Sequence, residues 1–253
     1  MAGWRLFTMS VLVTGSAGRI GRAVVAELQR QSVPVRGFDI SPTPGLADSG
    51  VGSVTDPQAL RNAMVGINTL IHLAATPDDD DFHTRLLPNN VVGVYEVLEA
   101  ARAADVRRLI LASTGQVVWW QRFRGPLPIG PDVGPTPRGW YAATKLFMEA
   151  AGRVMAGADG RTVYAVRLGW CPRDAGQAQE IAQSTLAQDV YLSPGDAGRF
   201  FAAAIRAPLD GGFHVVYAMS KPVQTATYDD APALRLGYEA QDTWPTGAED
   251  MLR

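Results

Sequence analysis

Short apolar runs alternate with amphipathic segments along this chain of 253 residues. Continuous runs such as SVLVT (10–14) and LILAST (109–114) are typical of strands that are buried on both faces of a parallel sheet. The pattern predicts strands at about 10–14, 34–39, 69–73, 108–113, 162–167 and 213–218, and helices at about 19–31, 56–64, 83–104, 140–156 and 195–206. This alternation predicts an α/β fold with a doubly wound parallel sheet.

The glycine-rich sequence TGSAGRIG (14–21) lies at the junction of the first predicted strand and helix. Gly15, Gly18 and Gly21 lack side chains, which permits a tight turn, a close approach of a phosphate and close helix packing. Backbone amides at the start of the helix favour an anion. The motif predicts a site for a dinucleotide pyrophosphate, and a turn without a ligand is the alternative for so short a pattern.

Asp39 ends the next apolar run, VPVRGFD, 18 residues after Gly21. An acidic side chain at this distance suits the ribose hydroxyls of NAD and repels the additional phosphate of NADP. Asp39 therefore predicts NAD as the cofactor. A loop or helix-capping role is the alternative.

The sequence YAATK (141–145) places Tyr141 and Lys145 one helical turn apart, where the ammonium favours the phenolate. The run LILAST delivers Ser113 and Thr114 to the carboxyl end of the sheet, where open α/β folds bind ligands. We predict that Thr114 positions the reacting oxygen and that Tyr141, as the phenolate, removes the hydroxyl proton while a hydride passes to the nicotinamide. A solvent-facing pair on an ordinary helix is the alternative for Tyr141 and Lys145.

The loop before Tyr141, residues 124–139, contains five prolines and is predicted to be neither helix nor interior strand. Because it leads directly into Tyr141, we expect an ordered loop that borders the site. Four tryptophans flank the predicted site segments, and they either fill core and loop contacts or stack on a flat substrate such as a sugar. These are Trp119, Trp120, Trp140 and Trp170.

Together the motifs resemble the extended, epimerase-like branch of the short-chain dehydrogenases/reductases over nearly the whole chain. TGSAGRIG is similar to the TGxxGxxG of that family, Asp39 to its NAD-selecting acid, and HLAAT (72–76) to its fourth-strand motif. The resemblance implies a Rossmann-type fold in which Asn90 steadies the active-site backbone. It implies that NAD is bound by Gly15, Gly18, Arg19, Ile20, Gly21, Asp39, Ser53, Val54, Leu73, Ala74, Ala75, Asn90, Tyr141 and Lys145.

The C-terminal segments 192–208, 213–220 and 235–242 resemble the closing segments of uronate dehydrogenases. Those enzymes oxidise the ring form of a uronic acid at its anomeric carbon with NAD and give a lactone. The resemblance implies an NAD-binding domain over 1–170 that carries the catalytic residues. It also implies a small substrate-side region over 171–253 with a strand that returns to the main sheet.

The predicted substrate pocket departs from the uronate dehydrogenase pattern. Gly115 and Gln116 replace an Asn-His pair, and Trp170 replaces an expected serine. Arg173 is the nearest candidate for the arginine that binds the carboxylate, and Thr76 completes the predicted substrate contacts. We expect a carbohydrate-like hydroxyl substrate, with uronate as the first candidate. An NDP-sugar epimerase or dehydratase, a dehydrogenase of another hydroxylated compound and a non-catalytic NAD sensor are the alternatives.

Composition and charge bear on nucleic-acid binding, membrane association and cellular compartment. A net charge of −2 gives no attraction to nucleic acid or anionic membranes, and no apolar stretch approaches the ~20 residues of a membrane span. The only cysteine, Cys171, fits a reducing, cytoplasmic compartment. We interpret MAGWRLFTMSVLV as the first strand preceded by an N-terminal extension rather than a signal peptide.

No metal or macromolecular partner other than a second copy is predicted. The three histidines lack the spacing of metal ligands, and Asp78 to Asp81 are expected to form a solvated helix start. The helices that begin near Asn89 and Tyr141 carry small and apolar residues at helical spacing, on the surfaces that relatives use for dimer contacts. We therefore expect a homodimer or a multiple of one.

Overall fold

The computed structural model describes residues 9–251, so the segment before Met9 lies outside the described residues. Within this range, seven strands form one sheet in the order β3-β2-β1-β4-β5-β6-β7, and every neighbouring pair is parallel. The strands are β1 Val11–Thr14, β2 Val35–Asp39, β3 Ser49–Val51, β4 Thr69–His72, β5 Arg108–Thr114, β6 Thr162–Leu168 and β7 Gly212–Ala218. The predicted doubly wound parallel sheet is confirmed.

Helices connect the strands and cover both faces of the sheet. They are α1 Arg19–Arg30, α2 Pro57–Met64, α3 Gly93–Ala103, α4 Trp140–Asp159, α5 Ala175–Ala182, α6 Thr185–Gln188, α7 Pro194–Ala204, α8 Ala231–Arg235 and α9 Ala248–Met251. A π-helix spans Phe82–Val92 and a 3-10 segment spans Gly115–Phe123. No helix in the described part of the chain is both long and apolar enough to cross a membrane.

The predicted helix over 83–104 is present in extent, but its first half does not have α-helical hydrogen bonding. Residues Phe82–Val92 form a π-helix that continues into α3. Pro88 lies inside this segment and has no N–H to donate, and the amide of Gly93 bonds to the carbonyl of Pro88 five residues earlier. The missing N–H of Pro88 thus lies in the same segment as the wider, π-type helical turns.

Alternate residues of the strands build a core on each face of the sheet, as the period of a strand requires. On one face, Val13 and Val166 pack with Val24 of α1 and Phe200 of α7. On the other face, the buried residues come from the neighbouring strand positions and from α2, α3 and α4, and they include Leu12, Leu70, Leu60, Val97 and Met148. The full burial of both faces explains why the strand sequences are apolar without alternation.

The shortest elements were missing from the predicted pattern. β3 has only three residues, none of them buried, and pairs at the edge of the sheet with β2. α5 and α6 follow β6 and are capped by the side chains of Asp174 and Ser184. The predicted late strand is present as β7, which pairs in parallel with β6. The division of the chain at residue 170 stays a prediction.

The site lies where the strand order reverses. β1 is bonded to β2 on one side and to β4 on the other, so the crossover connections leave β1 and β4 toward opposite faces. Open α/β sheets bind ligands in the crevice outside the carboxyl ends of such strands. A cleft opens at this edge, between the loops after β1, β4, β5 and β6.

Candidate active site

The glycine turn between β1 and α1 forms an open cradle at the base of the cleft. Gly15 has a φ of +74°, and a Cβ there would lie 2.6 Å from the backbone nitrogen of Ala74. A Cβ on Gly21 would lie 2.0 Å from the carbonyl oxygen of Gly15, so a side chain would block the turn. Gly18 supplies no side-chain cap to α1, which leaves amides of the first helical turn available to an anion. The cradle fits a dinucleotide pyrophosphate.

Asp39 ends β2 beside this turn. Its Oδ2 accepts a hydrogen bond from the amide of Ala17 at 3.1 Å, and its Oδ1 accepts one from the amide of Ser41 at 3.2 Å. These bonds fix the carboxylate next to the glycine turn, and each oxygen keeps a lone pair for a further donor. The arrangement suits the ribose hydroxyls of NAD.

The other predicted cofactor contacts divide into a cleft group and a supporting group. Ser53 and Val54 lie in the turn after β3, where Ser53 Oγ accepts a hydrogen bond from Thr55 N at 3.1 Å. Val54 is buried, and its side chain would be 2.7 Å from a Cβ on Gly93. The residues that line the cleft are Gly15, Gly18, Arg19, Ile20, Gly21, Leu73 and Ala75.

Asn90 joins the loop after β4 to α4. Its Oδ1 accepts a hydrogen bond from Thr76 N at 2.8 Å, and its Nδ2 donates to Thr76 O at 2.9 Å and to Thr144 Oγ1 at 3.2 Å. Thr76, expected to contact substrate, is itself buried and accepts a bond from Asn89 Nδ2 at 2.8 Å. Thr76 therefore supports the loop, while Asn90 fixes the helical turn that contains Lys145.

Thr114, Tyr141 and Lys145 line the same cleft, directly beside the glycine turn. Lys145 is buried, and its Nζ donates to the carbonyl oxygen of Ala112 at 2.8 Å. The same Nζ lies 5.7 Å from the centre of the Tyr141 ring. Thr114 Oγ1 accepts a hydrogen bond from the amide of Gln116 at 3.2 Å, which orients the hydroxyl at the end of β5. A hydroxyl, a phenol and an ammonium thus converge on one cavity.

The protonation of Tyr141 and Lys145 is governed by burial. Burial lowers the pKa of Lys145 to about 8. Burial, reinforced by the charge of Asp78, raises the pKa of Tyr141 well above its ordinary value, and Arg173 opposes that rise. The sequence predicts that Lys145 favours the phenolate and so lowers the pKa of Tyr141. In the protein alone the pKa of Tyr141 is raised instead, because burial outweighs the nearby cations.

A buried ion pair fixes α4 to the centre of the sheet. Glu149 accepts bonds from Nε and Nη2 of Arg167, both at 3.0 Å, and from Ser113 Oγ at 2.6 Å. Arg167 also donates to Tyr217 Oη at 3.0 Å. Because Glu149 lies one helical turn after Lys145 and Ser113 precedes Thr114, this network sets the distance between the two predicted catalytic elements.

The substrate side of the cleft differs from the uronate dehydrogenase pattern for a steric reason. A Cβ on Gly115 would lie 2.7 Å from the hydroxyl of Tyr228, which itself donates to the carbonyl oxygen of Gly115 at 3.3 Å. An asparagine therefore does not fit beside Tyr228. Trp170 and Gln116 line the cleft close by, and Trp170 Nε1 donates to Gln177 Oε1 at 3.5 Å.

Arg173 lies at the rim of the cleft but is already paired. Its Nη2 is 2.8 Å from Asp78 Oδ2, and its Nη1 donates to the carbonyl oxygen of Pro77 at 3.1 Å. The acidic run is thus more than a solvated helix start. Asp81 caps the π-helix as expected, whereas Asp79 accepts a bond from the amide of Tyr141 at 2.8 Å.

Two arginines in the cleft lining were absent from the predicted site. The guanidinium carbons of Arg122 and Arg138 lie 4.6 Å and 4.7 Å from the ring centre of Trp119. The tryptophans of the sequence, Trp119 among them, were the feature that indicated this side of the cleft, which we call the cleft wall and which contains Trp119, Arg122 and Arg138. Trp119 and Trp170 line the cleft, whereas Trp120 and Trp140 are 44% and 69% exposed.

No group of three or more His, Cys, Asp or Glu residues within 9–251 could hold a metal ion. His72 is buried at the end of β4, and its Nδ1 lies 2.7 Å from Thr14 Oγ1. Burial, with a smaller effect from Lys145, lowers the pKa of His72 to about 3. His72 is therefore a neutral packing residue.

Two proteins with similar sequences are named as sugar dehydrogenases that use NAD. An L-arabinose 1-dehydrogenase (NAD(P)(+)) of Haloferax volcanii is 31% identical over 79% of this chain and 83% of its own length. An NAD-dependent glucose-6-phosphate dehydrogenase of the same organism is 28% identical over 92% of this chain and 93% of its own length.

The fold has a close counterpart among solved structures. A glucuronic acid dehydrogenase from Chromohalobacter salexigens superposes with a TM-score of 0.79 at 25% identity, over 96% of this chain and 88% of that chain. A family model described as the NAD dependent epimerase/dehydratase family matches residues 11–170. The predicted resemblance and the predicted cofactor, NAD, are confirmed. This chain belongs to the NAD dependent epimerase/dehydratase family, the extended branch of the short-chain dehydrogenases/reductases.

Proposed function

We propose that this protein is an NAD-dependent dehydrogenase that oxidises a hydroxyl of a cyclic sugar or sugar acid, at the anomeric carbon, to a lactone. The observation that carries the proposal is the convergence of Thr114, Tyr141 and Lys145 on the cleft beside the glycine turn. A protein that only sensed NAD would need the turn and Asp39 but not this set of side chains.

The residues of the cleft divide the chemistry among them. Thr114 hydrogen-bonds the reacting oxygen and positions it. Tyr141, as the phenolate, accepts the hydroxyl proton of the substrate. The bound NAD supplies the hydride acceptor and a positive ring. Because burial raises the pKa of Tyr141, the phenolate requires positive charge beside it. The ammonium of Lys145, whose Nζ lies 5.7 Å from the centre of the Tyr141 ring, is placed to contribute part of that charge.

Two of the relatives support a carbohydrate substrate through their names. One is an arabinose dehydrogenase whose name specifies carbon 1, and another acts on glucose 6-phosphate. The glucuronic acid dehydrogenase shares the fold over nearly all of this chain. The three substrates have in common a sugar ring with an oxidisable hydroxyl, which is the class we assign here.

A screen of NAD reduction tests the proposal directly. Purified protein is incubated with NAD and with neutral aldoses, uronic acids, phosphorylated aldoses and simple secondary alcohols, with Tyr141→Phe as the control. We expect NADH formation with at least one sugar, absent in the variant. Tight NAD binding without turnover of any hydroxyl compound would favour the sensor, and conversion of an NDP-sugar without net NADH would favour the epimerase.

We also propose that the protein is a cytoplasmic homodimer, or a multiple of a dimer, formed through α3 and α4. These helices expose large apolar side chains, with Tyr95 56%, Val154 59% and Phe147 39% accessible. Such residues on neighbouring helices suit a two-fold contact between copies. The free Cys171 is consistent with a reducing compartment. Light scattering at micromolar concentration tests the assembly, and a monomer would contradict it.

A further inference from the structure

Arg122 is a cation in the cleft wall without a carboxylate partner among the described residues. It extends from the 3-10 segment after β5, and its Nη2 donates to the carbonyl oxygen of Leu186 at 3.4 Å. Its Nε is buried and has no hydrogen-bond partner within residues 9–251. The Arg122 side chain also lines the cleft. A half-buried guanidinium that loses hydration and gains no carboxylate partner favours an anion from outside the chain.

A second cation reinforces the first. Arg138 lies near the end of the proline-rich loop, and its guanidinium contacts the same Trp119 ring as that of Arg122. Burial, together with the neighbouring charge of Arg138, lowers the pKa of Arg122. Stacking on an indole holds a planar guanidinium while leaving its N–H groups free to bind an oxyanion with two bonds.

The cleft wall that contains Arg122 and Arg138 begins next to the hydroxyl of Thr114. Gln116 is two residues beyond Thr114, its amide donates to Thr114 Oγ1, and its carbonyl oxygen accepts a bond from Arg138 N at 3.1 Å. The side-chain Oε1 of Gln116 is buried and lacks a partner among the described residues. A rotation of this side-chain amide toward the cleft, which Gln116 lines, would let the oxygen accept a bond from a ring hydroxyl held beside Thr114.

Arg173 offers a different electrostatic environment. Its charge is compensated by Asp78 at 2.8 Å, and another of its donors is used by Pro77. An anion placed there would have to displace or approach a carboxylate. Arg122 and Arg138 also line the cleft, and neither forms an ion pair with a carboxylate among the described residues.

We infer that Arg122 and Arg138, rather than Arg173, form an anion subsite that binds the carboxylate or phosphate of an acidic sugar, with Gln116 accepting a bond from a ring hydroxyl. The inference rests on the proposed sugar oxidation and specifies its substrate class. The shared chemistry is an oxyanion carried by the sugar at a carbon remote from the one oxidised. A carboxylate and a phosphate both provide the two oxygens that a guanidinium fork binds.

Three sugars with the same ring separate the possibilities: glucose, glucuronate and glucose 6-phosphate. Steady-state kinetics are measured for the unmodified protein and for Arg122→Leu, Arg138→Leu, Arg173→Ala and the surface control Arg61→Leu. We expect both cleft variants to lower the ratio of kcat/KM for the acidic sugar to that for glucose by about 10- to 100-fold, through KM. Arg173→Ala and Arg61→Leu should retain the ratio.

The two acidic sugars identify the oxyanion. A preference for glucuronate over glucose 6-phosphate that disappears in Arg122→Leu assigns a carboxylate, and the reverse assigns a phosphate. An equal loss for all three sugars in the cleft variants, or a selective loss of acidic sugars in Arg173→Ala, overturns the inference. If Arg122→Leu does not fold, the exposed Arg138 carries the same comparison.

Calorimetric binding to the NAD-saturated protein distinguishes failure of the subsite from failure of the proposed function. If no sugar is oxidised but glucuronate or glucose 6-phosphate binds and the Arg122→Leu variant weakens that binding by at least about tenfold, the subsite stands without the activity. If glucose is oxidised while neither acidic sugar has a higher kcat/KM or a lower KM than glucose, the activity stands and the subsite is refuted.

Discussion

Replacement of Glu149 by alanine should destabilise the protein strongly. The carboxylate is 6% exposed and its partner Arg167 is 5% exposed, so both charges are withdrawn from water. Alanine would remove two bonds of 3.0 Å to the guanidinium and the 2.6 Å bond from Ser113. Arg167 would then be a buried cation with only neutral partners such as Tyr217.

The expected loss is about 3–5 kcal/mol of unfolding free energy, the usual cost of breaking a buried pair. For a domain of this size that corresponds to a decrease in Tm of roughly 6–20 °C. Thermal unfolding followed by circular dichroism measures it. Glu99→Ala is the matched control, because Glu99 also pairs with an arginine but is 39% exposed, and it should cost less than about 1 kcal/mol.

A double variant tests the cause of the loss. Glu149→Leu with Arg167→Met replaces both charges by apolar groups of similar size and should recover most of the stability, since no unpaired charge remains. A Tm for Glu149→Ala within 2 °C of the unmodified protein, or a double variant less stable than the single one, would refute the electrostatic reasoning.

Four further outcomes follow from the geometry of the cleft. Tyr141→Phe should lower kcat by about 10²- to 10⁴-fold while the affinity for NAD, measured by calorimetry, changes little, because the phenol acts on the substrate proton; a comparable loss of NAD affinity would contradict this. Asp39→Ala should raise the kcat/KM for NADP relative to NAD, and equal use of both cofactors by the unmodified protein would exclude the role of Asp39. Gly21→Ala should abolish NAD binding in the same calorimetric assay, since the new Cβ would lie 2.0 Å from a backbone oxygen of the turn; retained binding would show that the turn can rearrange. Burial depresses the pKa of Lys145 to about 8 from 10.5, so its charge opposes folding below pH 8 and this cost disappears as the pH rises toward 10.5. Lys145→Met should therefore stabilise the protein more at pH 7 than at pH 10, as measured by denaturant titration, and a pH-independent difference would argue against the depressed pKa.

The architecture of the sheet and the cradle for NAD were predictable because both depend on local sequence. Strands buried on two faces must be continuously apolar, and a turn that admits a phosphate must lack side chains at Gly15 and Gly21. The spacing of Tyr141 and Lys145 is likewise a property of one helix. The π-helix was less predictable from periodicity, although Pro88 was a local signal against a continuous α-helix.

The substrate side was decided by contacts between residues far apart in the chain. Tyr228 occupies the space beside Gly115 that an asparagine would need, across 113 positions. Asp78 neutralises Arg173 across 95 positions, whereas Arg122 stays without a carboxylate among the described residues. An arginine can bind the oxyanion of a substrate only when no neighbouring carboxylate of the protein already pairs with it. Sequence fixes which residues carry charge, and the tertiary packing of loops determines which of those charges remain free for a substrate.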